Sequence, residues 1–273
     1  MKFSLHIIQV VTVCLVIFST NSYGAAKAEL WDFWIKHDPD STITLDHGPW
    51  QQLLDRYVEP GADGINRVDY GALGKHHRTD LGSYLNTLTS IDPRQLNRAE
   101  QFAYWVNLYN ALTVEVVLRY PNKKSILRMG EKFFSIGPWG DKIIDIAGQS
   151  LTLDDIEHRV LRPIWQDHRI HYAVNCASIG CPNLSKLAYT PANTEAQLQK
   201  AEDTYTNHSR GVNLEGRKLK LSSIYKWYAS DFGNSQSQVV EHLSKRNSEL
   251  AEADLSKLRI SYDYNWDLNR QNN

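Results

Sequence analysis

Apolar residues recur along the chain in two patterns, a helical spacing and a strand-like alternation. Together they predict helices interleaved with short strands. Helical spacing of apolar residues occurs in segments 50–58, 80–88 and 194–209. The segment 142–153 instead predicts a hairpin that turns at "AGQ". Strict alternation at the end of the chain predicts a half-buried strand with Ile260, Tyr262, Tyr264, Trp266 and Leu268 on one side. Together these patterns predict an α+β fold.

The longest helical pattern is apolar on almost every side. It begins at Asp92, a plausible N-cap followed by a proline, and stops before Pro121. Between Phe102 and Leu118 charged residues are nearly absent, as expected for a helix surrounded by protein. We therefore expect a buried central helix packed on a small, largely antiparallel sheet.

Two asparagines interrupt the apolar surface of this central helix. Asn107 and Asn110 are three residues apart and thus neighbours on one helix face. Buried amides require hydrogen-bond partners. Two interpretations remain open: the side chains tie down neighbouring loops, or they line a polar pocket.

A second polar interruption lies in the segment "DDIEHRVLRPI". On a regular helix Glu157 falls in the middle of an apolar stripe about 110° wide, whereas His158 lies well off it. A carboxylate that faces a core is costly unless it is hydrogen-bonded or paired with a cation. The pattern therefore singles out Glu157 as the inward-facing member of the pair.

The third interruption is in "RIHYAVN", which the pattern predicts to be a strand. His171 and Asn175 would then line one face about 13 Å apart, and Cys176 would begin the exit loop. Cys176 could meet His171 only if the chain turns at Asn175 or Cys176; otherwise His171 serves another partner. Polar residues in three successive elements predict a shared pocket.

The N-terminus predicts export. Lys2 precedes an apolar run from Ile7 to Phe18, and small residues follow it, as in a secretory signal peptide. The run is shorter than the roughly 20 residues that a membrane span needs. We predict a signal peptide at residues 1–24, which removes Cys14, and a single domain at residues 25–273. The mature protein is expected to be periplasmic or secreted, without a stable membrane span.

Charge and motifs narrow the choice of partners. The chain has 30 basic and 31 acidic residues and a net charge of −1, so nothing favours nucleic-acid binding. No glycine-rich phosphate loop follows a strand, and no cofactor is predicted. The expected partner is a small polar molecule or a peptide-like substrate.

Five blocks of sequence in a fixed order resemble the domain-of-unknown-function family 547: "FAYWVNLYNALTVEVVL", "LTLDDIEHRVLRP", "RIHYAVNCASIGCPNL", "LSSIYKWYASDFG" and "YDYNWDLN". The resemblance runs from about residue 50 to residue 269. It implies no settled reaction, and a likeness to papain-like or transglutaminase-like thiol folds is an analogy. The resemblance does place seven candidates within the family's blocks: Asn107, Asn110, Glu157, His171, Asn175, Cys176 and Cys181.

The cysteine pair admits three interpretations. Export favours a disulfide between Cys176 and Cys181. Alternatively, Cys176 is a nucleophile, with His171 as its base, Glu157 orienting the ring, and Asn175 or loop amides as oxyanion donors. The third interpretation is a zinc site built from both cysteines, His171 and either Glu157 or His158. It lacks a second tight ligand pair, and no metal is predicted.

Two functions follow from these alternatives. The first is a cysteine-dependent hydrolase or acyl transferase acting on an amide or ester. The second is a non-catalytic protein that binds a small ligand or has a structural role, with the two cysteines as a disulfide. The first requires a reactive thiol, and the second does not.

Overall fold

The computed structural model describes residues 27–131 and 136–271. The predicted signal peptide and Cys14 lie outside these residues. Within the described chain no helix is both long enough and apolar enough to cross a membrane.

Helices make up most of the regular structure. They are Gly48–Tyr57 (α1), Tyr70–His76 (α2), Arg78–Thr89 (α3), Arg98–Arg119 (α4), Arg162–Trp165 (α5), Ile170–Ala173 (α6), Thr194–Thr206 (α7), Ile224–Trp227 (α8), Ala229–Phe232 (α9), Gln236–Ser244 (α10) and Ser248–Ala251 (α11). A π-helix spans Asp155–Leu161. Short 3₁₀ turns lie at Asp32–Trp34, Pro93–Gln95, Ile126–Arg128 and Leu255–Lys257.

Within residues 27–131 and 136–271 the strands form three small sheets. They are Val58–Pro60 (β1), Asn66–Val68 (β2), Ile144–Ile146 (β3), Gln149–Leu151 (β4), Val212–Glu215 (β5), Lys218–Ser222 (β6) and Arg259–Asp263 (β7). The pairs β1–β2, β3–β4 and β5–β6 are antiparallel, and β7 adds to β6 in parallel. The predicted α+β class is confirmed.

Helix α4 is the buried centre predicted from its sequence. Its N-cap is Asn97, whose side chain accepts a hydrogen bond from the Glu100 amide, whereas Asp92 caps the preceding 3₁₀ turn. The helix therefore begins later than predicted. Its main packing partners are α2, α3 and the π-helix rather than a sheet. The first and larger apolar core forms around it.

A second apolar core lies under the three-stranded sheet. Val212 of β5 and Leu219 and Leu221 of β6 pack there with Val240 and Leu243 of α10. The predicted terminal strand is present but ends at Asp263, and the chain from Tyr264 onward is irregular.

The hairpin predicted at "AGQ" is confirmed by β3 and β4. Its two turn residues, Ala147 and Gly148, both have positive φ angles, of 48° and 77°. Two consecutive residues with positive φ match the twist of a two-residue hairpin, and only glycine adopts this conformation without strain.

Two local predictions were wrong in ways that matter for the site. "RIHYAVN" is not a strand: residues 170–173 form α6, and the backbone becomes extended only at Val174. The Glu157 segment is helical but follows the π pattern, in which hydrogen bonds join residues five apart. This wider turn changes which residues share a face, so His158 is as buried as Glu157.

Candidate functional site

A cavity of about 850 Å³ opens between the two apolar cores. Its walls come from α4, the π-helix, α6, the segment 174–181, α8 and the chain after β7. Four predicted site residues line it: Glu157, His171, Cys176 and Cys181. Of the three polar interruptions predicted to share a pocket, the Glu157 segment and the His171 segment therefore border one cavity, whereas Asn107 and Asn110 of α4 do not line it.

Glu157 is held on two sides inside this cavity. The Tyr109 hydroxyl donates a hydrogen bond of 2.9 Å to Glu157 Oε2, and His171 Nδ1 lies 3.5 Å from Glu157 Oε1. Burial alone would raise the pKa of Glu157, but the neighbouring His158, His171 and Tyr109 outweigh it and hold the pKa well below its usual value. Glu157 is therefore a buried carboxylate that stays ionised.

His171 connects Glu157 to a second carboxylate that the sequence pattern did not reveal. Its Nε2 atom donates to Asp231 Oδ2 at 2.8 Å, and its ring stacks on Tyr228 with the centroids 4.1 Å apart. Arg162 donates to both oxygens of Asp231, at 2.7 and 3.0 Å. Burial opposes the charge of Asp231, but the hydrogen bonds from His171 and Arg162 prevail and lower its pKa. We call Glu157, His171, Asp231 and Arg162 the carboxylate network.

His158 lies beside this network and is neutral near pH 7. Arg162 Nη1 donates to His158 Nδ1 at 3.1 Å, and a guanidinium can only donate, so the ring hydrogen is on Nε2. Burial, together with the Arg162 charge and despite Glu157, lowers the pKa of His158 to about 4. His158 Nε2 lies 3.7 Å from Asp154 Oδ1. Partial burial, with the side chain still 45% exposed, and the charge of Glu157 raise the pKa of Asp154 to about 6, which makes it a candidate acid.

The thiol cluster forms another part of the wall and comprises Cys176, Cys181, Ser178 and Tyr264. Cys176 Sγ lies 3.1 Å from the hydroxyls of both Ser178 and Tyr264. The Ser178 hydroxyl donates to Tyr264 at 3.1 Å, which leaves the Tyr264 hydrogen free to point at the sulfur. The Cys176 amide donates to Cys181 Sγ at 3.1 Å.

These contacts favour the thiolate of Cys176. The adjacent Cys181 thiol and the two hydroxyls outweigh the opposing effect of burial and lower the pKa of Cys176 to about 7. Burial raises the pKa of Cys181 well above its ordinary value, and the Cys176 charge adds to this effect. The two cysteines are thus chemically different: the first ionises near neutral pH, and the second stays protonated.

The three predicted asparagines hold neighbouring segments of the chain in place through hydrogen bonds. Asn107 bonds both the amide and the carbonyl of Tyr189, and Asn110 bonds the carbonyl of Ala173 and the amide of Asn175. The Asn175 side chain bonds the Pro182 carbonyl and the Ala177 amide. None of the three asparagines lines the cavity. For Asn107 and Asn110 the first interpretation, anchoring of loops, fits these contacts.

The contacts also differ from the predicted catalytic pairing. Both ring nitrogens of His171 face carboxylates, and the described contacts of the Cys176 sulfur come from hydroxyls and Cys181 instead. The physical reason is that α6 turns His171 toward α9. The amides of Cys176 and Ala177 donate to Cys181 Sγ and Asn175 Oδ1, and the Asn175 side-chain amide donates to the Pro182 carbonyl.

Two other predictions for the cysteines can be compared with the structure. Cys176 and Cys181 are free thiols in it, so the alternative of a disulfide is not formed there. Among the described residues, the proposed zinc ligands around Cys176 do not gather within coordinating reach of one another.

Aromatic rings enclose the space above the sulfur. Trp227 lies against Tyr264 and Trp266, with ring centroids 4.9 and 5.4 Å apart, and Trp139 closes on Trp266 at 5.7 Å. All four rings line the cavity. Such a wall suits a flat or apolar part of a ligand, while the polar groups below it suit a carbonyl or an amide.

Comparison with known families gives one match. The model of the family described as "Protein of unknown function, DUF547" matches residues 93–206, which confirms the resemblance over that part of the chain. Neither the curated proteins nor the solved structures yielded a match, so the analogy with thiol-protease folds stays a prediction. The matched segment contains Glu157, His171 and both cysteines, whereas Asp231 and Tyr264 lie beyond it.

Proposed function

We propose that this chain, which carries a DUF547 segment, is a cysteine-dependent hydrolase or acyl transferase with Cys176 as its nucleophile. The observation that carries the proposal is the position of the Cys176 sulfur. It lines a cavity of about 850 Å³, within hydrogen-bonding distance of two hydroxyls, and its pKa is lowered to about 7. A thiolate, rather than a thiol, is the attacking species in such chemistry.

The reaction proposed is acyl transfer from an amide or ester. The Cys176 thiolate attacks the carbonyl carbon and forms a carbon–sulfur bond, the bond to the leaving nitrogen or oxygen breaks, and the leaving group takes a proton. Water or another acceptor then cleaves the thioester and returns the thiolate. Because Cys176 ionises near neutral pH, the first step does not need an adjacent imidazole base.

Other cavity residues receive roles consistent with their contacts. Asp154, with a pKa of about 6, is the group proposed to protonate the leaving group, and neutral His158, whose Nε2 lies 3.7 Å from Asp154 Oδ1, is proposed to orient it. The Tyr264 hydroxyl is placed to stabilise the thiolate. Glu157 and His171, predicted as catalytic, are proposed instead to act by positioning and by the fixed charge they bring to the cavity.

The test is covalent trapping with a generic activated ester, followed by mass spectrometry. We expect an acyl adduct on Cys176 that forms at neutral pH and then disappears by hydrolysis, with none on Cys181. Cys176→Ser should form no adduct, and Cys181→Ala, which removes a thiol that helps to lower the Cys176 pKa, should still form it but more slowly at neutral pH. Equal labelling of both cysteines, or an adduct that hydrolyses no faster than one on the unfolded chain, would contradict the proposal.

A ligand-binding protein without catalysis is the second candidate. It is favoured by the aromatic wall and by the carboxylates that occupy both nitrogens of His171. In this case a ligand would stabilise the fold equally in wild type and in Cys176→Ser, and no acyl adduct would turn over. For this function we propose that an oxidant joins Cys176 and Cys181 in a disulfide.

Location outside the cytoplasm is also a proposal. It is supported by the apolar run at Ile7–Phe18 and the small residues that follow. The intact mass of the protein purified from its own cell, or from a bacterial host, should correspond to a chain that begins near residue 25. A mass that includes Met1–Lys2 would contradict cleavage.

A further inference from the structure

Two imidazoles and one carboxylate, which are side chains of the kinds that bind metal ions, lie close together outside the cavity walls. His168 lies in the turn before α6, Glu202 on α7 and His242 on α10. The candidate ligand atoms of the three residues all lie within 4.8 Å of one another. None of the three residues lines the cavity that holds Cys176.

The arrangement centres on one oxygen of a fully buried carboxylate. Glu202 Oε1 lies 2.7 Å from His168 Nε2 and 3.6 Å from His242 Nε2. The imidazole rings of His168 and His242 are nearly perpendicular, at 82°, with their centroids 4.4 Å apart. Two imidazoles and one carboxylate therefore point toward one small space.

Two buried atoms of this cluster lack a hydrogen bond. They are His242 Nε2 and Glu202 Oε2. Arg246 Nε lies 3.2 Å from Glu202 Oε2 as an ion pair, but the angle is not that of a hydrogen bond. Buried polar atoms usually have partners, so an unpaired nitrogen aimed at a buried carboxylate calls for an explanation.

We infer that His168, Glu202 and His242 bind a divalent transition-metal ion of the zinc class. Two histidines and one glutamate form a recognised three-ligand set for zinc, with a fourth position left for water. Zinc bonds of about 2.0–2.2 Å to nitrogen and oxygen place tetrahedral ligands about 3.3 Å apart. The observed spacings of 2.7 and 3.6 Å bracket that value, so small side-chain adjustments suffice.

Arg246 fits this assignment as a second-shell partner. It pairs with Oε2 of Glu202, while Oε1 is the oxygen nearest to both imidazoles. The carboxylate can therefore bind the ion through one oxygen and keep Arg246 on the other. Partners of this kind orient a ligating carboxylate.

The surroundings hold the ligands in place. Phe232 of α9 packs on both imidazoles, with ring centroids 5.6 Å from His168 and 5.6 Å from His242. The residue before it, Asp231, belongs to the carboxylate network. A bound ion would thus join α7, α10 and the turn before α6 directly behind the helix that carries Asp231.

The competing explanation is an ion cluster without a metal. Burial alone would raise the pKa of Glu202, but the neighbouring His168 and His242, with Arg246, lower it to about 2. The ionised carboxylate would then be held by Arg246 and by its contacts with the two imidazoles, with no ion between them. A metal ion binds an imidazole nitrogen that carries no proton, so only the metal explanation predicts stoichiometric binding that tightens from pH 6 to pH 8.

Cobalt(II) is the probe that separates them, because its visible absorption reports coordination directly. The full protein, first treated with a chelator, is titrated with Co²⁺ and then with Zn²⁺ at pH 6 and pH 8. We expect one Co²⁺ per chain with the intense visible bands of a four-coordinate site, displacement by Zn²⁺, and tighter binding at pH 8. A raised melting temperature with one equivalent of Zn²⁺ is the second readout.

Matched variants locate the site. His242→Ala should weaken Co²⁺ binding by about 100-fold or more, since even the loss of a second-shell partner costs 10- to 100-fold. Its side chain is 23% exposed, so this variant should fold, and circular dichroism checks that it does. His76→Ala, at an exposed histidine elsewhere, should bind as wild type. No stoichiometric binding at pH 8, or equal binding by His242→Ala and wild type, would overturn the assignment.

Discussion

The carboxylate network and the thiol cluster border the same cavity but differ in how their buried polar groups are stabilised. In the network, Asp231 bonds both His171 and Arg162, and Glu157 bonds Tyr109, so opposite charges or donors meet at short range. In the thiol cluster, the Cys176 sulfur has hydroxyls and a second thiol for neighbours. The charged groups of the carboxylate network are paired with one another, whereas the Cys176 sulfur of the thiol cluster stays available for a reaction.

This difference suggests a division of labour. Charges that are paired inside a protein are poor reagents, because a reaction must first break the pair. They do fix the orientation of the helices that carry them, here the π-helix, α6 and α9. A sulfur stabilised by weak donors can still attack a substrate. We therefore expect changes in the network to alter stability most, and changes in the thiol cluster to alter reactivity most.

The largest effect is expected from Asp231→Ala. The side chains of Arg162 and His171 are 3% and 2% exposed, and the substitution leaves both without their shared carboxylate. Removing one partner of such a buried pair costs about 3–5 kcal/mol in the free energy of unfolding. Urea denaturation at pH 7 measures this cost.

The control for Asp231 is an exposed ion pair of the same protein. Glu241 and Lys245 pair on the surface of α10 with side chains 63% and 67% exposed, so Glu241→Ala should change stability by about 0.5 kcal/mol or less. If the two substitutions cost the same, burial does not govern the network, and the contrast with the thiol cluster fails.

Glu157→Gln should have an intermediate effect that depends on pH. The amide keeps the size of the side chain but weakens its contacts with Tyr109 and His171, for a cost of about 1–3 kcal/mol at neutral pH. The pKa of Glu157 in the folded protein, about 2, is lower than that of an unfolded glutamate, about 4.3. The carboxylate therefore stabilises the fold above pH 4.3, and this contribution is lost as the pH falls toward 2.

The measurement is the difference in unfolding free energy between wild type and Glu157→Gln from pH 6 to pH 2. We expect the difference to be constant above pH 5 and to shrink below it. A difference that grows on acidification would mean that Glu157 is protonated in the folded protein. His158→Gln supplies a comparison from the adjacent residue with a different pH window: the pKa of His158 is lowered from 6.5 to about 4 in the folded protein, so its difference should shrink between pH 6.5 and pH 4 and change little below pH 4.

Much of the fold was predictable because local patterns determine it. The apolar period of α4, the hairpin at Ala147–Gly148 and the α+β class all follow from residues close together in sequence. The inward direction of Glu157 was predicted as well. In each case a buried apolar face or a turn conformation leaves few alternatives.

What the sequence patterns missed depends on long-range contacts. The α6 helix of four residues lacks a helical period, and β-branched and aromatic residues around His171 favoured a strand. The π-helix moved His158 onto the buried face, which a regular 100° step per residue does not anticipate. Asp231 meets His171 across 60 residues of chain, and His168 meets Glu202 across 34. No local spacing indicates such pairs.

The smallest effect, on reactivity alone, is expected from Tyr264→Phe. The substitution removes the hydroxyl 3.1 Å from the Cys176 sulfur and keeps the ring that packs on Trp227 and Trp266. Loss of one donor worth about 1 kcal/mol corresponds to a rise of roughly 0.7 in the Cys176 pKa. The rate of alkylation of Cys176 by iodoacetamide at pH 7 should then fall by about two- to threefold, whereas the rate at pH 9.5 should hardly change.

Ser178→Ala is the matched comparison for Tyr264. The Ser178 hydroxyl is equally close to the sulfur, but it donates its hydrogen to Tyr264 rather than keeping it for Cys176. Its removal should therefore raise the Cys176 pKa less than Tyr264→Phe does. A larger rise in Ser178→Ala would reverse the order of donors, making Ser178 the hydroxyl that stabilises the thiolate. If neither variant moves the pH profile, the hydroxyls do not activate Cys176, and the lowered pKa of the sulfur then depends on the Cys181 thiol.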